Sequence, residues 1–401
     1  MVVTGLGVIS ALGLDVSTFW RSLADGRSGI GRIGTVDHTR LRCPNGAEVH
    51  DYLPSDSFPP KQLDLLDRFA QFGLIAARAA VADAGISWSP ALCMRTAVVM
   101  GTCVGGQTSE ETALADVYAH KRTRLPPLLI PRVMANAATS HVAMEFGIKG
   151  PSYTVSTACA SANHAIGQAF WMVAHGVSDL ALAGGSEAPF SLAHLQAWEG
   201  LRVVASDTCR PFSRHRRGLV FGEGGGVLVL EPLEAARRRG VRVHGEIVGF
   251  AMTSEANHIT QPSAEAAAQT MNQAMVDAHV EPSQIGYINA HGTGTVASDR
   301  AEACAIRRVF GTRVDRVAVS STKSMHGHAL GATGALEAIA TILALKNGVL
   351  PPTANFAEPD PECDLDVIPN HARSADVDVA LSNAFGFGGL SAVLVMRRCN
   401  T

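Results

Sequence analysis

Residues 155–167, VSTACASANHAIG, and residues 319–331, VSSTKSMHGHALG, follow one pattern: a strand-like start, a Ser/Thr turn and a helix of small residues. A pattern written twice implies an internal duplication, and the flanking segments repeat as well. In the first part VVTGLGVIS, TAVVMGTCVGG, PSYTV, DLALAGGSEA and GGGVLVLEP read as strands, several of them ending on glycines. In the second, GEIVGFAMT, IGYINAHGTGT, VAVSSTKSMHGHALG, VDVALSNAFGFGG and SAVLVM do the same. Helical periodicity fills the gaps, at 16–25, 61–84, 109–132 (running into a Pro-rich segment), 263–279, 300–310 and 333–347. Strands alternating with helices imply α/β architecture with mostly parallel sheets, covered on both faces, and ligands gathered at strand C-terminal ends. The expected division is a first half over 1–235 and a second over 236–401.

Other classes are excluded by composition. At 401 residues and 47% hydrophobic the chain buries a large core, while a net charge of −3 supplies no field for nucleic acid. No apolar run reaches the ~18–20 residues of a membrane span. The eight cysteines are scattered, with no CxxC pair or metal-ligand spacing, and no signal peptide precedes them, which predicts reduced thiols in the cytoplasm. Gly5-x-Gly7-x-x-Ser10 imitates a dinucleotide fingerprint but lacks its third glycine and distal acid, so it reads as a tight turn.

Chemistry gathers at four strand ends. Cys159 lies where the strand-like Tyr153–Val155 meets an Ala-rich helix. On the first helical turn it would face unpaired N–H groups and the positive end of the dipole, both favouring thiolate; taken alone it reads equally as a small buried hydrophobe. NAHGTGT supplies His291, Thr293 and Thr295; STKSMHGH supplies Lys323, His326 and His328; SNAFGFGG supplies Phe385 and Phe387 among glycines. His326-x-His328 has metal-ligand residue types, but no further Cys or carboxylate ligand stands near it. Arg202, Arg210, Arg214, Arg216 and Arg217 form a local basic cluster, or an ordinary solvated loop.

Together TACASA, NAHGTGT, STKSMHGH and NAFGFGG resemble the β-ketoacyl-acyl carrier protein synthases, the elongating kind with a Cys-His-His triad, across essentially the whole chain. AGGSEAP and WEGLRVVASDTCRPFS are similar to the branch that includes nodulation protein E and type II polyketide ketosynthases. The resemblance implies a thiolase-like fold of two αβαβα layered halves, each with a mixed five-stranded sheet. It implies an acyltransferase performing decarboxylative Claisen condensation of a malonyl carrier with a Cys-bound acyl chain, in fatty-acid-like or polyketide synthesis. No bound cofactor is implied, since substrates ride on the carrier's phosphopantetheine. The partners implied are acyl carrier protein and a second subunit, either a copy of the chain or a chain-length factor.

The resemblance also assigns roles. Cys159 takes the acyl group, and its N–H and that of Phe387 form an oxyanion hole. His291 and His328 bind the malonyl carbonyl, Lys323 fixes the local electrostatics, and Glu337 is its buried partner. Thr293 and Thr295 hold phosphopantetheine, Phe385 and Phe387 gate the acyl pocket, and Val104 limits its depth. Arg122, Arg124 and Arg202 meet an acidic carrier. Two positions depart from the family pattern: Gly389-Leu390-Ser391 stands where GGTN is usual, and His326 where Thr is common. The competing readings are a carrier-binding partner subunit, which typically lacks the nucleophile present here, and a CoA-dependent thiolase, whose second Cys is missing from NAFGFGG.

Overall fold

The computed structural model describes residues 1–399. Ten strands form its main sheet: β1 (Val2–Ser10), β2 (Thr96–Gly101), β3 (Ser152–Val155), β4 (Leu180–Glu187), β5 (Gly224–Glu231), β6 (Gly245–Ser254), β7 (Ile285–Asn289), β8 (Ala318–Ser320), β9 (Val379–Gly386) and β10 (Leu390–Arg397). They lie in the order β8-β7-β9-β10-β6-β1-β5-β4-β2-β3. Read outward from the centre, β1-β5-β4-β2-β3 and β6-β10-β9-β7-β8 are the same five-strand arrangement. In each, the inner pairings are antiparallel and the outer two parallel. The sheets are therefore mixed rather than mostly parallel, and the duplication legible in the two motifs extends to the topology. The halves join edge to edge through Val2 opposite Glu246 and Val3 opposite Gly245.

Helices supply the remaining layers. α1 (Arg68–Asp83) packs on β1, β4 and β5, and outside the second half α5 (Ala264–Asp277) covers β6 and β10, with α6 (Val296–Phe310) beside it. Between the halves lie α3 (Ser161–Ala174) and α7 (Thr333–Asn347), which pack on each other and on strands of both halves. Every residue of α7 from Thr333 to Leu345 is buried, as a helix enclosed on all sides requires. Burying α3 and α7 brings the two repeated motifs to the middle of the molecule.

The expected elements are found with two instructive differences. The helix expected over 61–84 breaks into Pro60–Leu63 and α1, because Asp67 accepts from the N–H of Phe69 and starts a new helix there. GLGVIS is no turn: Gly5 and Gly7 lie inside β1, where a Cβ would collide with the carbonyl oxygens of Ala80 and Ala76. Those glycines let α1 lie directly against the strand.

Candidate active site

Five residues lead from the end of β3 to α3, and Cys159 lies two positions before the helix begins. It therefore sits in the turn rather than on the first helical turn. Ala158 adopts φ +50, a left-handed conformation that makes the corner sharp. The Ser161 hydroxyl secures it, donating to Ala158 O at 2.6 Å and accepting from Thr157 N–H at 2.9 Å. Cys159 is 8% exposed, and the nearby backbone N–H groups of Cys159 itself and of Phe387 favour its thiolate. Burial pushes the thiol up to about 11, against the pull of Lys323 and the two N–H groups. The expectation that the helix terminus alone yields a resting thiolate is thus corrected, because desolvation outweighs it. We expect iodoacetamide labelling of the Cys159 peptide to climb about tenfold per pH unit from pH 7 to 10, since only thiolate reacts. A plateau beginning near pH 7 would show a preformed thiolate instead.

The matching turn after β8 carries the charges. Lys323 is fully buried, and its Nζ meets Glu337 Oε1 of α7 at 2.5 Å. Burial raises the Glu337 carboxyl to about 7 even though Lys323 opposes the rise. His328 follows, and its Nδ1 accepts the Leu330 N–H at 3.1 Å with the Thr333 hydroxyl at 2.9 Å. A backbone N–H can only donate, so Nδ1 holds no proton. Burial and Lys323 keep this ring neutral, far below its ordinary pKa, and its single proton therefore sits on Nε2. That Nε2 is buried, has no partner among the described residues and belongs to a ring lining the cavity.

His291 ends the segment after β7. Its N–H and that of Gly292 donate to Glu302 Oε1 and Oε2 at 2.8 and 2.7 Å, and Asn383 Nδ2 donates to the same carboxylate at 3.0 Å. Its ring stands edge-on to His328 at 5.8 Å and to Phe385 at 5.7 Å. Burial, then Lys323 and His328, hold it neutral.

A cavity of about 340 Å³ unites the predicted residues: Cys159, His291, His328, Thr293, Thr295, Phe385 and Phe387 all line it. Lys323 and Glu337 lie outside that lining. Thr293 and Thr295 bond each other at 3.0 Å. Phe387 stacks on Trp198, at 5.6 Å between centroids and 29° between planes. Arg202 lines the cavity too, together with Arg217. Arg122, just beyond the helix Gln107–Tyr118, pairs with Asp116 of that helix at 3.2 Å, and neither it nor Arg124 borders the cavity. Val104 is 44% exposed and outside the lining, so within one chain it does not limit the pocket. His326 uses both nitrogens internally, on the Thr322 hydroxyl at 2.9 Å and Gly327 O at 2.7 Å, which makes it a structural residue rather than a metal ligand. Leu390 and Ser391 pair with Gly386 and Phe385 across the hairpin that carries Phe387.

Sequence reasoning missed Trp198, Glu302 and Glu187. The Glu187 carboxylate accepts from the Thr102 hydroxyl and the N–H groups of Cys103 and Gly331, at 2.8, 2.6 and 3.0 Å, tying loops from both halves together. One signal was available: an acid closing the apolar strand DLALAGGSEA must meet several donors if that strand is buried.

Known proteins match along nearly the whole chain. Residues 1–236 match the beta-ketoacyl synthase N-terminal domain and residues 244–357 the beta-ketoacyl synthase C-terminal domain. Nodulation protein E of Rhizobium sp. (strain N33) is 44% identical over 398 residues, covering 99% of each chain. The 3-oxoacyl-[acyl-carrier-protein] synthase 2 of Staphylococcus aureus (strain COL) is 39% identical over 405 residues, covering 99% of this chain and 98% of that one. Among solved structures, the ishigamide ketosynthase/chain length factor superposes with a TM-score of 0.95 at 36% identity, over 100% of this chain and 99% of the other.

Proposed function

Because the chain belongs to the β-ketoacyl synthase family, whose members are acyltransferases, we propose that Cys159, His291, His328 and Lys323 divide a decarboxylative Claisen condensation between them. The observation that carries this reading is the tautomer of His328: a neutral ring with its proton on Nε2, in the same cavity as the nucleophile. Such a group donates a hydrogen bond without surrendering a proton, which is what a developing enolate oxygen requires.

In the first step the Cys159 sulfur attacks the carbonyl of a carrier-bound acyl thioester. The new C–S bond forms, the pantetheine sulfur leaves and takes the proton, and the transient oxyanion accepts from the N–H groups of Cys159 and Phe387. In the second, malonyl thioester loses CO₂, and the electron pair of the broken C–C bond becomes an enolate held by His291 and His328. The enolate carbon attacks the acyl carbonyl on Cys159, a C–C bond forms, and the cysteine sulfur departs and is reprotonated. Lys323 suits this sequence by keeping both rings neutral. Thr293 and Thr295 hold the phosphopantetheine arm, and Phe385 and Phe387 gate the acyl side.

We assign carrier docking to Arg202, joined by Arg217 at the cavity, and to Arg122 and Arg124 outside it. The first half, 1–235, contributes the nucleophile, and the second, 236–401, the histidines and lysine. Exposed Val104, Leu114, Leu128 and Ile130 offer an apolar face for a second subunit, either a copy of this chain or a chain-length factor. We place its work in the cytoplasm: the seven cysteines from Cys43 to Cys363 form no disulfide. Among the described residues no helix is long and apolar enough to cross a membrane.

Incubation with a long-chain acyl carrier protein should add one acyl mass to the peptide holding Cys159, and Cys159→Ala should abolish it. Label on another cysteine, or transfer surviving in the variant, would refute the assignment.

A further inference from the structure

We propose, building on that reading, that Trp198 selects the acyl chain: its indole is the fixed jaw of a gate whose moving jaw is Phe387. An acyl group bonded to Cys159 must lie in apolar surroundings, and one side of the sulfur is a cluster formed by Ile33, Phe190, Leu195, Leu219, Phe221 and Leu330. Trp198 packs against this cluster and also lines the cavity, so it stands between the space that receives the carrier's arm and the space that must receive the acyl chain.

The indole is held from two directions. One is the stack on Phe387 described above; the other is Phe221, met edge-on at 5.3 Å and 62°. Phe221 does not yield easily, because its neighbours are pinned to the catalytic turn: Gly222 N–H donates to His328 O at 3.0 Å and His328 N–H to Val220 O at 2.7 Å. The helix carrying Trp198, Leu192–Gly200, is anchored as well. Its first N–H groups, those of Leu192 and Ala193, donate to Glu111 at 2.9 and 2.8 Å. Phe387 by contrast precedes Gly388 and Gly389, at φ +84 and +73, in the turn of a hairpin. The mobile partner is therefore Phe387, and the gap it opens is bounded by the indole.

Because each methylene in an apolar pocket changes discrimination by about 10-fold or more, removing the indole should be read in chain length. The test measures acylation of Cys159 by acyl-pantetheine thioesters of two, eight and sixteen carbons in the parent, Trp198→Ala and Trp198→Phe. The expected result is a ratio of sixteen-carbon to two-carbon rates at least about 10-fold higher in Trp198→Ala, with Trp198→Phe between it and the parent. An unchanged ratio in both variants overturns the proposal while leaving the condensation reading intact. A parent that takes no chain on Cys159 overturns that reading first. Tryptophan emission covers the case in which the alanine variant does not fold. Loading the sixteen-carbon chain should shift the parent's emission and leave that of Trp198→Phe unchanged, and equal responses in the two proteins would refute the gate.

Discussion

His328→Ala should still load an acyl group on Cys159 but release CO₂ from malonyl-carrier protein at least about 10² times more slowly, and His291→Ala should behave alike. The estimate follows from the loss of one donor to a developing oxyanion, about 2.7–4 kcal/mol in a site closed to water. The separation of steps follows from the proposed mechanism: the oxyanion of acyl loading would be served by the backbone N–H groups of Cys159 and Phe387, which neither substitution removes. Because both rings are neutral well above their own pKa values, the decarboxylation rate should show no acid limb near pH 6.5. Near-normal CO₂ release in both variants, or a limb centred on the ordinary histidine pKa, would contradict the roles given to these rings.

Lys323→Ala should be the most destabilising substitution of a site residue, costing about 3–5 kcal/mol, because it strands Glu337 in a fully buried position. The penalty should depend on pH. The Glu337 carboxyl is raised above its unfolded value already in the parent, and without Lys323 it rises further. A group whose folded pKa is raised binds its proton more tightly when folded, so the folded state loses ground as pH climbs from the unfolded pKa toward the folded one. The gap between parent and variant in urea unfolding should thus be small at pH 5 and large at pH 8, and Lys323→Ala with Glu337→Gln should remove most of that dependence. Equal gaps at the two pH values would show that Glu337 is not the stranded charge.

Much of this was legible from the chain because its chemistry is punctuated by small residues. Cys159, His291, Lys323 and Phe387 each follow an apolar run, and a strand that ends on glycine, serine or threonine delivers its next side chains to the sheet's edge. The duplication was visible for the same reason. What could not be read was anything set by desolvation or by distant packing. The state of the Cys159 thiol depends on burial by segments far away in sequence, and local helix logic pointed the wrong way. Trp198 could not be singled out, since its partners Phe221 and Phe387 arrive from separate stretches. Val104 is a different case: the resemblance implies a pocket wall, and in a single chain the residue stands 44% exposed outside the cavity lining. The mixed sheets escaped a periodicity argument because a fully buried strand reads alike in either direction.

The turn after β8 has a consequence for how such a molecule diversifies. His328 is told which nitrogen to protonate by the Leu330 amide, and in the proposed mechanism the acyl oxyanion is met by two further amides. These instructions are written in the main chain, where exchange of one side chain for another does not erase them. The walls that meet the acyl chain are written in side chains alone. Acyl selectivity is therefore open to change one substitution at a time, with the main-chain donors of the bond-forming step left in place.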